Sequence, residues 1–450
     1  MSYLSHAVSS SGNRKIFTIS AWVKCDVNET NKTIFGAGTA GTNTGKFYFA
    51  ISSGVVRIGG GGNVYLVTTR LLRDPSSWYH LVVGYDSTQS TAANRIKFYI
   101  NGQQITSNYS TSSYPSQDLQ GPVNESGKQN TFGAEQGGGE QWKGYMTHMV
   151  LVDGTQLTPS NFGETDATTG SWKPKPEPTG VTYGTNGVFM KCENSGNLGL
   201  DSSGQGNNYT ANSFNTNAQT SDSASNSFAT LNPLIHSEIS NYYNVLANGN
   251  LRLPTSVGGN NRRGWPAGTL AVNKGKWYAE YFSEYISSSA GYGGPGIYDY
   301  DFAVQNYNDG PVSTGEGGIM YTPNGDINRN ALTPLTGMPT WTTNDIIGIY
   351  MDLDNNELRF SKNGTLINSG NSVITITHPS SAPGNDYWTF CPYDESGHAF
   401  DASMNFGQPN SYFGSCTNAD NAGLGKFKYS PSISGTHYYS LCTKNINTYG

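Results

Sequence analysis

The sequence predicts an all-β protein built from two antiparallel β-sandwiches. Only 13% of its 450 residues are charged, about half the usual ~25%. The polarity comes instead from glycine, serine, threonine and asparagine, which suit turns between short strands. No segment keeps apolar residues at i, i+3, i+4 and i+7 over four turns, and this argues against long helices. Short runs of alternating polar and apolar residues recur along the chain and indicate strands.

The first unit is predicted at residues 1–211. The run Phe17–Val23 alternates as a strand with one face in the core does. The strands are short and joined by turns rich in glycine and asparagine, a pattern typical of a sandwich or jelly roll. Further strands are predicted at 33–36, 46–51, 55–58, 64–69, 78–85, 95–100 and 142–153.

Two stretches of the chain are too polar or too rich in proline to belong to a core. Residues 171–180, SWKPKPEPTG, indicate an extended connector. Residues 212–228 are rich in asparagine and serine and contain few apolar side chains. We therefore place the linker between the two units at 212–228.

The second unit is predicted at residues 229–410, and its clearest element is a hairpin at Asp345–Gly364. The turns of this hairpin contain aspartate, asparagine and glycine, which take positive φ at low cost. The first strand is predicted to be buried on both faces and the second on one. Other strands are predicted at 251–253, 275–282, 292–304, 318–321, 387–392 and 402–408.

The tail at 411–450 is too short to fold alone, so its aromatic residues are expected to pack on a neighbouring surface. The chain contains five cysteines that are far apart and form no CxxC pair. They predict free thiols in a reducing cytoplasm, and a Cys416–Cys442 bridge is left open.

Charge and hydropathy argue against two classes of partner. The net charge of −6 is mild and scattered, and it gives no basic stripe for nucleic acid. No apolar run approaches the ~18 residues that a membrane-spanning helix needs. The N-terminus also lacks the apolar core of a secretory signal. We expect neither nucleic-acid binding nor membrane insertion.

The sequence predicts no enzyme. A glycosidase needs two carboxylates at a fixed separation, and Glu135 and Glu140 instead flank three glycines in a predicted loop. The seven histidines are dispersed, and His80 and His148 fall in predicted strands, where they are interpreted as ordinary strand residues.

Tyrosines cluster among glycines in the second unit, between residues 287 and 317. Tyrosine offers a large contact surface and a hydrogen bond at low entropy cost, so this region is a candidate binding site. An equally good interpretation is that alternate tyrosines such as Tyr298 and Tyr300 only cover a sheet face. The candidate ligand-binding residues are Tyr292, Tyr298, Tyr300, Tyr307 and Asp309.

Four motifs of the first unit, FTISAWVK, WYHLVVGYD, RIKFYINGQQI and WKGYMTHMVLVDGTQLTP, resemble the concanavalin-like, laminin-G-type jelly roll. In that family an apolar strand and a DSSGxGN-type segment commonly precede these motifs, whereas here GVFMKC and DSSGQGNN follow them. We therefore predict that residues 187–210 add a late hairpin to the first sandwich. The resemblance also implies calcium on a loop rim, with Asp86 and Asp153 as weak candidates, and no other cofactor.

Motifs of the second unit resemble the SPRY domain over residues 230–408. They are GKWYAEYF, DIIGIYMDLDNNELRFSKNGT, YWTFCPY and MNFGQ. SPRY domains build their ligand surface from loops between strands, and this favours the tyrosine-rich region at 287–317.

The two sandwiches, linker and tail together resemble structural proteins of marine bacteriophages. This resemblance implies a non-enzymatic virion surface protein, made in the host cytoplasm, that binds a host glycan or surface protein as part of a tail or head fibre. The alternative is an architectural capsid or tail decoration protein that binds other virion proteins, and a glycan-degrading enzyme comes third. A homotrimer is left open.

Overall fold

The computed structural model describes residues 2–26, 31–42, 45–167, 170–215, 217–234, 246–254, 266–286, 293–305, 317–329, 332–367, 373–377, 386–394 and 400–450. The chain forms two compact units, the first comprising Met1–Asn215 with Ser223–Ser225 and the second Thr216–Asp222 with Asn226–Gly450. The division falls inside the polar stretch at 212–228.

The strands of the first unit are β1 (Tyr3–Ala7), β2 (Ile16–Cys25), β3 (Lys32–Gly38), β4 (Lys46–Ser52), β5 (Val55–Gly60), β6 (Asn63–Leu71), β7 (Tyr79–Asp86), β8 (Ile96–Ile100), β9 (Gln103–Ile105), β10 (Tyr109–Ser112), β11 (Gln129–Phe132), β12 (Gly144–Asp153), β13 (Gly163–Thr165), β14 (Trp172–Pro174), β15 (Val188–Met190) and β16 (Thr210–Asn212). Short 3-10 helices occupy Ala92–Asn94 and Pro159–Asn161.

Two antiparallel sheets enclose the core of the first unit. The larger has the order β10-β6-β5-β4-β3-β11-β1-β16, and the smaller has the order β15-β12-β2-β7-β8-β9. Apolar side chains of both sheets meet in one buried cluster, including Phe17 and Phe98 from the smaller sheet and Phe47 and Phe49 from the larger. The inward-facing half of each alternating strand therefore forms the core, as in a sandwich.

Strand β2 is buried on both faces, whereas its alternation predicts one buried face. A second apolar cluster lies on the outer face of the smaller sheet. There Val82, Val150 and Phe189 of the sheet meet Phe162, and Leu157 and Tyr183 pack against them. Residues 157–167 and 170–183 thus cover this face, and we call them the covering segment.

His80, on β7, anchors the covering segment. Its side chain is fully buried, and the Trp172 Nε1–H donates to His80 Nδ1 at 3.0 Å. Because Nδ1 accepts, the neutral ring carries its proton on Nε2 and donates it to the Ser20 hydroxyl at 2.8 Å. Ser20 is therefore an acceptor in this pair and not an activated nucleophile. The ring also stacks on Trp22, with 4.7 Å between centroids.

Residues 187–210 join the first unit, but they do not form the predicted hairpin. Strand β15 pairs with β12 at the edge of the smaller sheet, and β16 pairs with β1 at the edge of the larger sheet. Val188 and Tyr209 both enter the core. Residues 187–210 therefore add one strand to the edge of each sheet and connect the two sheets of the sandwich.

The strands of the second unit are β17 (Arg252–Leu253), β18 (Lys276–Ile286), β19 (Gly293–Asp299), β20 (Gly318–Tyr321), β21 (Ile327–Arg329), β22 (Leu332–Leu335), β23 (Ile346–Asp352), β24 (Glu357–Lys362), β25 (Thr365–Leu366), β26 (Ile374–Thr375), β27 (Trp388–Asp394), β28 (Phe400–Asn405), β29 (Asn418–Ala419), β30 (Lys426–Phe427), β31 (Ser432–Ile433), β32 (Thr436–His437) and β33 (Tyr439–Ser440). Its helices are α1 (Tyr300–Gln305), α2 (Thr443–Tyr449) and a 3-10 turn at Ser411–Phe413.

The second unit is also a sandwich of two sheets. The larger runs β17-β28-β18-β23-β24-β25, with β26 and β33 attached to β24 and β18, and the smaller runs β22-β21-β20-β19-β27. Trp277 and Ile349 of the larger sheet share a core with Ile319 and Phe390 of the smaller. The predicted fold class, two antiparallel β-sandwiches, is confirmed.

The hairpin predicted at Asp345–Gly364 is formed by β23 and β24. Strand β23 is buried throughout, and β24 alternates between buried and half-buried residues. The turn residues Asn356, Asn363 and Gly364 take φ values of 54°, 48° and 80°, in the left-handed region that asparagine and glycine tolerate.

The strand predicted at 292–304 ends early. Strand β19 stops at Asp299, and helix α1 follows. The Asp299 carboxylate accepts the backbone N–H of Asp301 at 3.0 Å. An aspartate in this position satisfies a free N–H at a helix start and so favours the change from strand to helix.

The C-terminal tail covers the outer face of the larger sheet in its own unit. Phe427 and Tyr438 of the tail pack on Tyr278 and Tyr350 of the sheet. All five cysteines are free thiols, so Cys416 and Cys442 form no bridge. No helix in the described part of the chain has the length and apolar character to span a membrane.

Glu280 of β18 is a fully buried carboxylate beneath the tail. It accepts the backbone N–H groups of Lys428 and Tyr429 at 2.9 and 2.7 Å, the Asn405 amide at 2.9 Å and the Tyr278 hydroxyl at 3.1 Å. Burial raises the pKa of Glu280 to about 7, although these four hydrogen bonds act to lower it.

We predict that His80 makes the first unit sensitive to acid. Burial lowers the pKa of His80 from 6.5 to about 3. Between these two pH values the unfolded chain therefore binds a proton at His80 and the folded chain does not. This contribution to stability is complete above pH 6.5 and is lost as the pH falls towards 3, by about 5 kcal/mol at most. Urea denaturation should show that the difference in free energy of unfolding between wild type and H80Q becomes smaller as the pH falls across this range. The control is the exposed His437→Gln change, which removes a histidine and leaves His80 intact.

We predict the opposite trend for Glu280. Its pKa is higher in the folded chain than the ordinary 4.5, so the folded state binds the extra proton. Stability should therefore fall as the pH rises from about 4.5 to 7, by about 3 kcal/mol. The E280Q variant has no such proton, so its free energy of unfolding should lack this decline. An equal decline in E280Q and wild type would contradict the assignment.

Candidate functional site

Of the five residues of the tyrosine-rich site predicted at 287–317, the structure describes Tyr298 and Tyr300. Tyr292, Tyr307 and Asp309 lie outside the described residues. Tyr298, on β19, is fully buried in a small apolar cluster, and Tyr300 packs against that cluster at the start of α1. The prediction that Tyr298 contacts a ligand is therefore wrong, because its side chain has no exposed surface. Tyr298 instead covers a sheet face, as the alternative interpretation states.

Asp86 does not fit a calcium site. Its carboxylate accepts the Thr88 backbone N–H at 3.0 Å, the Thr88 hydroxyl at 2.6 Å and the Gln89 amide at 2.6 Å. Burial acts to raise the pKa of Asp86, but these hydrogen bonds outweigh it and lower the pKa. Both carboxylate oxygens are thus occupied by hydrogen-bond donors, whereas calcium binding would need these oxygens to face the ion together with further oxygen ligands.

Asp153 does not fit calcium either. One carboxylate oxygen accepts the Asn13 backbone N–H at 2.7 Å and the Asn124 amide at 3.1 Å, and the other accepts the Asn186 backbone N–H at 3.0 Å. Asp153 thus ties loops together. Within the described residues, no three or more His, Cys, Asp or Glu side chains are grouped to hold a metal ion.

A different site lies on the outer face of the larger sheet in the first unit. We call it the Tyr48 cluster and define it as Lys46, Tyr48, Arg57, Glu135 and Glu140. On β4 and β5 the core takes Phe47, Phe49, Val56 and Ile58. The alternation of a strand therefore turns Lys46, Tyr48 and Arg57 outwards.

Tyr48 lies across the neighbouring strand β5 at Gly59, its partner in the sheet register. A Cβ atom on Gly59 would stand 2.3 Å from the Tyr48 hydroxyl oxygen. A side chain at this position would therefore clash with the Tyr48 ring where it now lies. The ring is half-buried, and the Lys46 ammonium lies 5.6 Å from its centroid. Burial raises the pKa of Tyr48, so its hydroxyl stays neutral and can both donate and accept.

The loop from Glu135 to Glu140 is held in place, although its sequence predicts no fixed carboxylates. The Glu135 N–H donates to the Gly139 carbonyl at 2.8 Å, and the Gly138 N–H donates to the Glu135 carbonyl at 2.9 Å. The Glu140 carbonyl accepts the Thr33 N–H at 2.8 Å. Glu140 adopts a φ of 42°, an uncommon value for a non-glycine residue that is often found at functional sites.

The two carboxylates of the Tyr48 cluster have different environments. Glu135 forms an ion pair of 2.6 Å with Lys46. Partial burial and the nearby charge of Glu135 raise the pKa of Glu140, while Lys46, Arg57 and a hydrogen bond from Asn31 oppose the rise. The cluster therefore offers an aromatic ring, charged donors and acceptors on one exposed face.

A buried hydroxyl lies on the same side of the sheet. Thr33 is the register partner of Ala50, which also faces outwards, and its Oγ1 is buried without a hydrogen-bond partner among the described residues. Buried polar atoms are nearly always satisfied, so such an atom indicates a place for water or ligand. Tyr48 and Arg57 were missed in the sequence, although the alternation of KFYFAIS and VVRIGG contains the signal.

Two family models match parts of the sequence. Residues 2–161 match the concanavalin A-like lectin/glucanases superfamily, and residues 300–381 match the SPRY domain. The chain contains a concanavalin A-like domain and a SPRY domain. The Tyr48 cluster lies wholly within the concanavalin A-like domain. No curated protein matches the chain.

Three solved structures are similar to parts of this chain. The SPRY domain of human HERC1 is 15% identical over 34% of this chain and 87% of its own, with a TM-score of 0.26. The heptameric SAP-like pentraxin of Limulus polyphemus is 16% identical over 35% of this chain and 72% of its own, with a TM-score of 0.26. The CBM40 of a Ruminococcus gnavus sialidase, bound to α2,3-sialyllactose, is 15% identical over 34% and 90%, with 0.24. Similarity of this extent identifies no ligand for this chain.

We predict that Gly59→Ala displaces the Tyr48 ring. The added Cβ would meet the ring and also the Asn63 carbonyl oxygen at 2.5 Å. Overpacking of this kind costs about 1–3 kcal/mol of unfolding free energy, which urea denaturation measures. Gly121→Ala is the matched control, because nothing lies within 4 Å of its Cβ position. Equal stability of G59A and G121A would contradict the close contact.

Proposed function

We propose that the protein binds a glycan through the Tyr48 cluster and does not cleave it. The observation that carries this proposal is the half-exposed Tyr48 ring, fixed on Gly59 between charged side chains. An aromatic ring gives a sugar a flat apolar contact, and the hydroxyl, carboxylate and guanidinium groups around it pair with sugar hydroxyls. The match of residues 2–161 to a lectin and glucanase superfamily supports the same ligand class.

Hydrolysis is the second candidate, and one observation favours it. A glycosidase pairs a carboxyl of raised pKa, the acid, with a second carboxylate, and partial burial and the charge of the neighbouring Glu135 raise the pKa of Glu140. We favour binding because the Lys46 ammonium already engages Glu135 at 2.6 Å. A nucleophile or base needs that carboxylate free.

We further propose that the protein works on the surface of a bacteriophage particle as a receptor-binding or adhesion module. This part rests on the resemblance of the two sandwiches, linker and tail to phage structural proteins. Its partners would be a host cell-surface glycan and other virion proteins. An architectural decoration protein, which binds virion proteins alone, is the alternative.

We predict that the Tyr48→Ala variant of the full-length chain loses glycan binding on an array. Truncating a central aromatic contact costs more than about 1 kcal/mol, so binding should weaken roughly fivefold or more. The control is Tyr285→Ala, a tyrosine of the second unit that is 49% exposed. Release of sugar product by wild type and not by E140Q would favour hydrolysis. Failure of wild type to bind any glycan would favour the architectural role.

A further inference from the structure

We infer that the glycan is acidic and that Arg57 binds its carboxylate or sulfate group. The inference rests on the proposed function of the Tyr48 cluster and names the class of sugar that this site selects. It concerns one side chain on the outer face of β5.

Arg57 has unused hydrogen-bonding capacity. Within the described part of the chain its guanidinium forms no ion pair and donates no hydrogen bond. Two other cations of the first unit are engaged, since Arg14 pairs with Glu125 at 3.1 Å and Lys46 pairs with Glu135 at 2.6 Å. The Arg57 side chain is nevertheless half-buried, so its position is restricted. A restricted guanidinium with free N–H groups is suited to grip an anion through two parallel hydrogen bonds.

Arg57 is close enough to Tyr48 for one sugar to contact both. Arg57 lies opposite Ala50 in the register of β4 and β5, and Tyr48 is two residues from Ala50 on the same face. Such diagonal neighbours are about 7–8 Å apart, within reach of long side chains. A sugar on the Tyr48 ring could therefore place an acidic substituent at the guanidinium.

The charge balance of the cluster comes to favour an anion when Glu140 is protonated. The ion pair between Lys46 and Glu135 cancels one charge of each sign, which leaves Arg57 and Glu140. Partial burial and the charge of Glu135 raise the pKa of Glu140. As the pH falls, protonation of Glu140 removes one negative charge and the site gains net positive charge. Lys46, Arg57 and Glu135 are the charged groups, and Asn31 the neutral donor, that act on Glu140. Binding of an acidic sugar should therefore strengthen as Glu140 becomes protonated.

Non-specific attraction does not explain such binding. The whole chain carries a net charge of −6, so it repels a polyanion on average. Selective binding of an acidic polysaccharide would therefore need a local cation with free hydrogen-bond donors, which Arg57 supplies.

The test measures binding of the full-length protein to three polysaccharides by calorimetry at fixed ionic strength. Polygalacturonate presents carboxylates, dextran sulfate presents sulfates and dextran is neutral, so the first two arms distinguish the anions. We expect wild type to prefer one of the charged polymers. Arg57→Gln should weaken that binding about tenfold to hundredfold, the effect of losing hydrogen bonds to a charged group. Arg57→Lys should retain part of it, and Arg73→Gln, at an exposed arginine, should bind as wild type does.

The outcomes separate this inference from the proposed function. Tyr48-dependent binding that is equal for dextran and the charged polymers would overturn the inference and keep the glycan-binding function. Equal losses in R57Q and R73Q would also overturn the inference, because overall charge would then control binding. No binding of any polysaccharide by wild type would overturn the proposed function itself.

Discussion

The covering of the outer sheet faces is the constraint on which the rest of the structure depends. A sandwich buries the inner faces of its sheets, and outer strands that carry apolar side chains need a second layer. In the first unit the covering segment supplies it for the smaller sheet, where Phe162 packs on Val82 and Val150. In the second unit the C-terminal tail does the same with Phe427 and Tyr438. Both covers are chain segments with little regular structure of their own.

A buried polar side chain helps to fix each cover. His80 accepts the Trp172 indole N–H in the first unit, and Glu280 accepts two backbone N–H groups of the tail in the second. A buried polar group costs free energy unless it is hydrogen-bonded, so these contacts fix where each segment lies. The larger sheet of the first unit differs, because its outer face at Tyr48 and Arg57 remains half-exposed and charged. The same alternation that builds the core leaves that face for a ligand.

Much of the fold could be predicted from the sequence because alternation and turn residues act locally. The hairpin of β23 and β24 is a clear case, since its asparagines and glycine fix the turns. The burial of β2 on both faces could not be predicted, because it depends on a covering segment more than a hundred residues away in the chain. The same holds for residues 187–210, whose two strands reach the edges of different sheets. Pairing between distant segments leaves no local signal.

The candidate site was harder to predict than the fold. Tyr298 and Tyr48 both occur in alternating runs, but the first is fully buried and the second half-exposed. Composition alone cannot separate them, because the layer that covers each sheet decides which tyrosine meets solvent. Glu135 and Glu140 gain a fixed place only through the hydrogen bonds of their loop. Gly59 becomes informative once its register with Tyr48 is known.

The central claim is that a glycan lies on the Tyr48 ring. Hydroxyl-radical footprinting with mass spectrometry tests it most directly, because it reports the solvent exposure of individual tyrosines in the intact chain. With a glycan that binds on the array, the account predicts that Tyr48 becomes protected from oxidation while Tyr285 and Tyr412 remain as reactive as before. Protection of Tyr285 or Tyr412 with unchanged oxidation of Tyr48 would contradict it.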